Sequence, residues 1–360
     1  MELALGFAHT LMLGDDGSVW ATGWNDFGQL GDGTSRSKVS FAQVISSGVT
    51  GIAAGSRYSM VWKGDGSVWG TGHNKYGQLG DGSTTTRVGF VEVIARGVKA
   101  VAAKYFHSMV LKQDGSVWGT GQNVYGHLGD GSKMDRSVFV QVLDDSVTAI
   151  AVGLGHSIAL KQDGSVWVTG WNTYGQLGDG SKSDRSRFSE VMSDGSRSVG
   201  VAAGLRYSMV VKADGSLWST GQNSVGQLGD GSTTERSHFV EVVSSGVQSV
   251  SASTEHTMML KEDGSVWATG LNDQGQFGDG SRSSSLEFLK VVSSGVSRVS
   301  LGSRCSMVVT VCGSVRATGM NFRGQFGDGS SVNRPAFVNV TEECEGVQIT
   351  MKYICVACLD

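Results

Sequence analysis

Asp16-Gly17-Ser18-Val19-Trp20 and, further on, Asn25-Asp26-Phe27-Gly28-Gln29-Leu30-Gly31-Asp32-Gly33 decide how this chain is read, because both stretches return seven times. The turn glycine of the first recurs at Gly17, Gly66, Gly115, Gly164, Gly215, Gly264 and Gly313, at intervals of 49, 49, 49, 51, 49 and 49 residues. The second recurs in phase: as GQLGDG from Gly28, Gly77, Gly175 and Gly226, as GHLGDG from Gly126, and as GQFGDG from Gly275 and Gly324. A fixed period of this length marks a solenoid or a propeller.

Within the second copy, four strand-like segments lie between turn signals: Val49–Ala54, Tyr58–Lys63, Ser67–Thr71 and Phe90–Ile94, here a, b, c and d. The b segments, such as His107-Ser-Met-Val-Leu-Lys112, are apolar on both faces. A sheet buried on both faces needs a neighbour on each side, which stacked propeller blades provide. No 3.6-residue period is present, so a helical solenoid is excluded. The expected fold is all-β, a seven-bladed β-propeller of ~49-residue, four-stranded repeats.

With the His on strand b and the Asn-x-x-Gly-Gln-Leu-Gly loop, each unit resembles the repeat of the regulator of chromosome condensation family over residues 1–346. The resemblance implies one domain over 1–360, with 347–360 as a closing strand or a partial eighth repeat. Both termini offer an a strand to one blade. Val347–Met351 is expected to complete the blade begun at Phe7–Val44; the alternative is closure by Leu3–Gly6. Unpaired edges invite association, so closure matters.

Composition narrows the function. The 360 residues include 54 glycines and one proline, about twice the usual glycine share, as tight turns require. Net charge is −4 and no Lys/Arg run occurs, which argues against nucleic acid or anionic lipid as partner. No apolar stretch is long enough to span a bilayer. The start, MELALGFAHT, lacks a secretory pattern, and the five cysteines form no disulfide framework. A cytoplasmic monomer is expected.

The repeated residues read as structural. Trp20, Trp69, Trp118, Trp167, Trp218 and Trp267 alternate with Val or Leu on strand c and should pack between blades. The Asn series from Asn25 to Asn321 should cap the loop backbone. His9, Tyr58, His107, His156, Tyr207, His256 and Cys305 share one place on strand b; pointing around a ring, they do not converge as zinc ligands must. Asp32 and its counterparts precede Lys38, Arg87, Arg136, Arg185, Arg236 or Arg334 by six residues, a spacing for ion pairs or turn caps and not for calcium. Cys355-Val-Ala-Cys358 on a strand is poorly placed for a redox pair. No triad, phosphate loop or paired carboxylates stand out, so no catalytic residue, metal or cofactor is expected.

Function on a repeat scaffold is expected where the copies diverge. The b–c and d–a turns are monotonous, whereas the a–b and c–d loops, at the other end of each blade, vary. Aromatic residues crowd the first four blades there, and Trp24, Phe27, Tyr76, Tyr105, Phe106, Tyr125, Trp171 and Tyr174 form the candidate partner-binding arc. The tyrosines before Gly-Gln-Leu also read as packing residues of the family; Trp24 and Trp171 break the pattern more. The leading function is a non-catalytic protein-interaction scaffold with a protein partner. The alternative that the family name implies is guanine-nucleotide exchange on a small GTPase, although the even spacing leaves no room for a wedge-like insertion.

Overall fold

The glycine turns at 49-residue spacing divide the chain into short strands that can pair only with their immediate neighbours. The computed structural model describes residues 1–193, 195 and 197–341, and in these residues the regular structure is 28 strands with no helix. They form seven antiparallel sheets of four strands, each in chain order, packed around a central channel. The first blade is Glu2–Leu5, His9–Leu13, Val19–Gly23 and Lys38–Ile45; the last is Val296–Leu301, Cys305–Thr310, Val315–Gly319 and Arg334–Asn339.

In the second blade strands a and b fall at Val49–Ala54 and Tyr58–Lys63, as read from the sequence, while c is Val68–Gly72 and d is Arg87–Ile94. Strand d begins earlier than expected because Gly72 pairs with Arg87 across a register shift that draws Arg87-Val88-Gly89 into the sheet.

Seven apolar clusters lie one at each joint between blades. Between the first two, Leu11, Val19 and Leu30 meet Val49, Ile52 and Val61. Five strand-c tryptophans, Trp69, Trp118, Trp167, Trp218 and Trp267, are half-buried, each on the core at the joint with the preceding blade: Trp69 on the first, Trp118 on the second.

The repeated loop clasps the next blade. Asn74 Oδ1 accepts the Leu79 N–H (2.9 Å), and Asn74 Nδ2 donates to Asp81 (3.0 Å) and to the Ser83 carbonyl (3.1 Å). The loop held in this way presents the Gly77 carbonyl to Thr120 of the third blade (2.9 Å). Gly77 has φ +76 and lies so close to Ser137 that a Cβ would strike that residue's backbone. Five of the expected Asp–cation pairs form, from Asp32–Lys38 (3.1 Å) to Asp230–Arg236 (2.6 Å), while the same Asp side chains cap their turns.

The first blade takes its inner strand from Glu2–Leu5, registered on the b strand with Leu3 opposite Met12. The last joint repeats the others. Thr22 Oγ1 donates to the Gly324 carbonyl (2.9 Å), Ser300 Oγ donates to the Leu3 carbonyl (3.0 Å), and Leu3 is buried against Cys305, Met307 and Phe326. Val347–Met351, the other candidate closing strand, and the Cys355–Cys358 pair lie outside the described residues.

Candidate protein-binding face

The strand-b residues tie the blades together below the loops. His9, His107, His156 and His256 each place Nε2 at 2.9 to 3.1 Å from a serine hydroxyl of the following blade: Ser59, Ser157, Ser208 and Ser306. Where tyrosine stands instead, Tyr58 donates to the His107 carbonyl (2.6 Å) and Tyr207 to the His256 carbonyl (2.8 Å). Burial holds these histidines neutral, pulling His9 down to about 4 and His156 and His256 to about 3. Among the described residues no three His, Cys, Asp or Glu side chains converge as metal ligands.

Above this girdle the aromatic loop residues form two runs. One crosses the first three blades: Phe7, Trp24, Phe27, His73, Tyr76 and Phe106 are linked by ring-centroid distances between 5.1 and 6.4 Å. The other joins the third and fourth blades, with Tyr125 stacked on Trp171 at 4.8 Å and Tyr174 edge-on to Trp171 at 5.6 Å. All of the predicted arc residues are partly exposed.

Each run carries arginine from a neighbouring blade. The Arg57 guanidinium lies 5.1 Å from both the Trp24 and Phe27 rings, and Arg323 lies 5.4 Å from Trp24. Arg206 lies 5.0 Å from both Trp171 and Tyr174. A guanidinium stacked on a ring retains in-plane N–H groups for a carboxylate. Neither these arginines nor His73 belongs to the arc read from the sequence; each arginine comes from a different loop than the rings it covers, so no local pattern pointed to it.

Tyr105 departs from the arc. It sits at φ +50 in the two-residue turn of its hairpin and turns into the channel, where its hydroxyl lies 3.4 Å from Thr254 on the sixth blade. Beside it, Lys104 Nζ donates to the carbonyls of Ala203 (2.7 Å) and Ala252 (2.6 Å), tying the third blade to the fifth and sixth across the axis. At the place of Lys104 five other blades have glycine, because a Cβ there would meet the strand-b side chain, as Gly55 shows against Tyr58. The channel mouth beside these two residues holds a cavity of about 30 Å³, room for one or two waters and no larger ligand.

A seven-bladed propeller with short, uniform turns at one end and an aromatic face at the other is the class this chain defines. The profile of the RCC1-like domain matches residues 98–358, and the regulator of chromosome condensation (RCC1) repeat matches 16–62 and 2–29. The chain belongs to the RCC1-like propeller family. No curated protein matches it in sequence. Among solved structures it is similar to human WBSCR16, at 22% identity and TM-score 0.79 over 92% of this chain and 95% of that one. It is also similar to Prp20p from Saccharomyces cerevisiae, at 18% identity and TM-score 0.79 over 92% and 88%, a protein described for its binding to Gsp1p and histones. These likenesses concern the fold.

Proposed function

We propose that the chain is a non-catalytic interaction scaffold that holds a protein partner on its a–b/c–d loop face. The observation that carries this reading is the pair of arginine-capped aromatic runs. Tryptophan, tyrosine and arginine contribute most per residue to protein interfaces, and here all three are pre-positioned by contact with one another. The partner this chemistry fits presents apolar side chains flanked by carboxylates. Quantitative affinity capture tests it: Trp24→Ala and Trp171→Ala should each lose partners retained by the native chain, while Gln113→Ala, in a turn at the opposite end, keeps them. Full capture by both tryptophan variants, with folding intact, would sink the proposal.

Guanine-nucleotide exchange is the second reading, supported by the likeness to Prp20p, which binds Gsp1p. Release of labelled GDP from a panel of small GTPases separates the two.

A further inference from the structure

The aromatic runs are cationic on a chain whose net charge is −4. Besides Arg57, Arg206 and Arg323, Lys75 lies 5.8 Å from the Tyr76 ring. Among the described residues none of these four cations has a carboxylate within ion-pair distance. At the same end of the blades other cations are neutralised: Arg87 by Asp81 (2.7 Å), Arg136 by Asp130 (2.6 Å), Lys182 by Glu235 (2.7 Å) and Arg304 by Asp273 (2.9 Å). His73, inside the first run, registers the excess: burial lowers its pKa, and the charges of Arg57 and Lys75 lower it further.

The guanidiniums fall into two groups. Arg57 and Arg323 meet at Trp24 of the first blade, whereas Arg206 reaches from the fifth blade onto Trp171 and Tyr174 of the fourth. Between the groups lie the partly exposed rings of Tyr76, Phe106 and Tyr125. Ring geometry separates the two polyanions that such a face could take. Single-stranded nucleic acid lays its bases flat on aromatic faces. Here those faces are already engaged: Arg57 lies over Trp24 and Phe27, Arg206 over Trp171 and Tyr174, and Tyr125 is stacked on Trp171 at 12°. Ring edges and in-plane guanidinium N–H groups are what such stacking leaves for a partner, and these suit apolar side chains and carboxylates.

We propose that the loop face binds an acidic peptide segment. One group of its Asp or Glu residues meets Arg57 and Arg323, a second group meets Arg206, and apolar side chains between them cover Tyr76, Phe106 and Tyr125. This rests on the loop face being the partner-binding surface, and it names what that surface takes. Cations without an internal counter-charge are stripped of water by any partner that covers them, and only a partner bearing carboxylates replaces what they lose.

Fluorescence anisotropy on the full chain tests this with the labelled peptide Glu-Asp-Glu-Leu-Phe-Leu-Glu-Asp-Glu. Binding is expected with a dissociation constant on the order of 10–100 μM, and about tenfold more weakly for the same peptide with Gln and Asn in place of Glu and Asp. Raising sodium chloride from about 50 to about 300 mM should weaken the acidic peptide roughly fivefold. The double variant Arg57→Gln, Arg206→Gln should bind the acidic peptide no better than its amide counterpart, and Arg323→Gln alone, at an exposed position, should bind it about threefold more weakly. Equal affinity of the native chain for the two peptides, or undiminished binding by the folded arginine variants, overturns the proposal. Tighter binding of a labelled oligodeoxythymidylate than of the acidic peptide overturns it too, in favour of nucleic acid. If neither peptide binds while captured partners still depend on Trp24 and Trp171, the acidic segment fails and the protein-binding face stands.

Discussion

Lys104 shows how one residue departs from a seven-fold pattern. Its ammonium is enclosed by the ring and bonded only to carbonyls, and burial pulls its pKa down to about 7 from the ordinary 10.5. Between these values the unfolded chain holds the proton that the folded one gives up, so the unfolded state binds more protons and stability rises with pH from about 7 to about 10.5. Below pH 7 both states are protonated and the contribution is flat. Urea melts across this range should show the rise in the native chain and lose it in Lys104→Met. That variant should also be destabilised by about 1–3 kcal/mol, as two enclosed carbonyls lose their donor. The sequence contained the clue, a lysine where glycine is the rule, yet the partners sit 99 and 148 residues away and no local pattern pointed to them. For the same reason Tyr105 reads as a member of the arc in sequence and lies in the channel in the structure.

At the scale of the element, the Asn–Gly-Gln-Leu-Gly loop is a clasp, and its invariant residues are accounted for by the next blade more than by their own. Gly77→Ala would place a methyl group against the Ser137 backbone at a positive φ. Overpacking and backbone strain together should cost roughly 2–4 kcal/mol, read as a lower urea midpoint with an unchanged slope. The clasp itself was legible as a turn, since Gly and Asn at fixed spacing announce one. Its grip on the neighbour was not, because a repeat read in isolation does not show which copy it touches. The candidate arc divides likewise: Trp24 and Trp171 were visible as breaks in the repeat, whereas Arg57, Arg206 and Arg323 gain their meaning only when adjacent blades bring them onto the rings.

For the whole molecule, the girdle of neutral imidazoles sets an acid limit. His9 titrates at about 4 in the folded chain, and His156 and His256 at about 3, against about 6.5 when unfolded. Proton uptake on unfolding therefore begins as pH drops below about 6.5, and stability falls from there toward pH 4 at about 1.4 kcal/mol per pH unit for each histidine. His9→Tyr, which copies the joints made by Tyr58 and Tyr207, should reduce the slope of stability against pH by about one proton. The seven-fold count was readable from spacing alone.

Among the described residues, the first blade draws all four of its strands from the first 45 residues. This has a consequence for synthesis. Emerging from the ribosome at roughly 5–20 residues per second, the chain can finish one blade before the next appears, and each new blade docks on its completed predecessor. A ring sealed by strand exchange would have to keep its opening blade unfinished until translation ended. Among the described residues, the docking of Leu3 and Thr22 against the seventh blade is the step that waits for the last repeat.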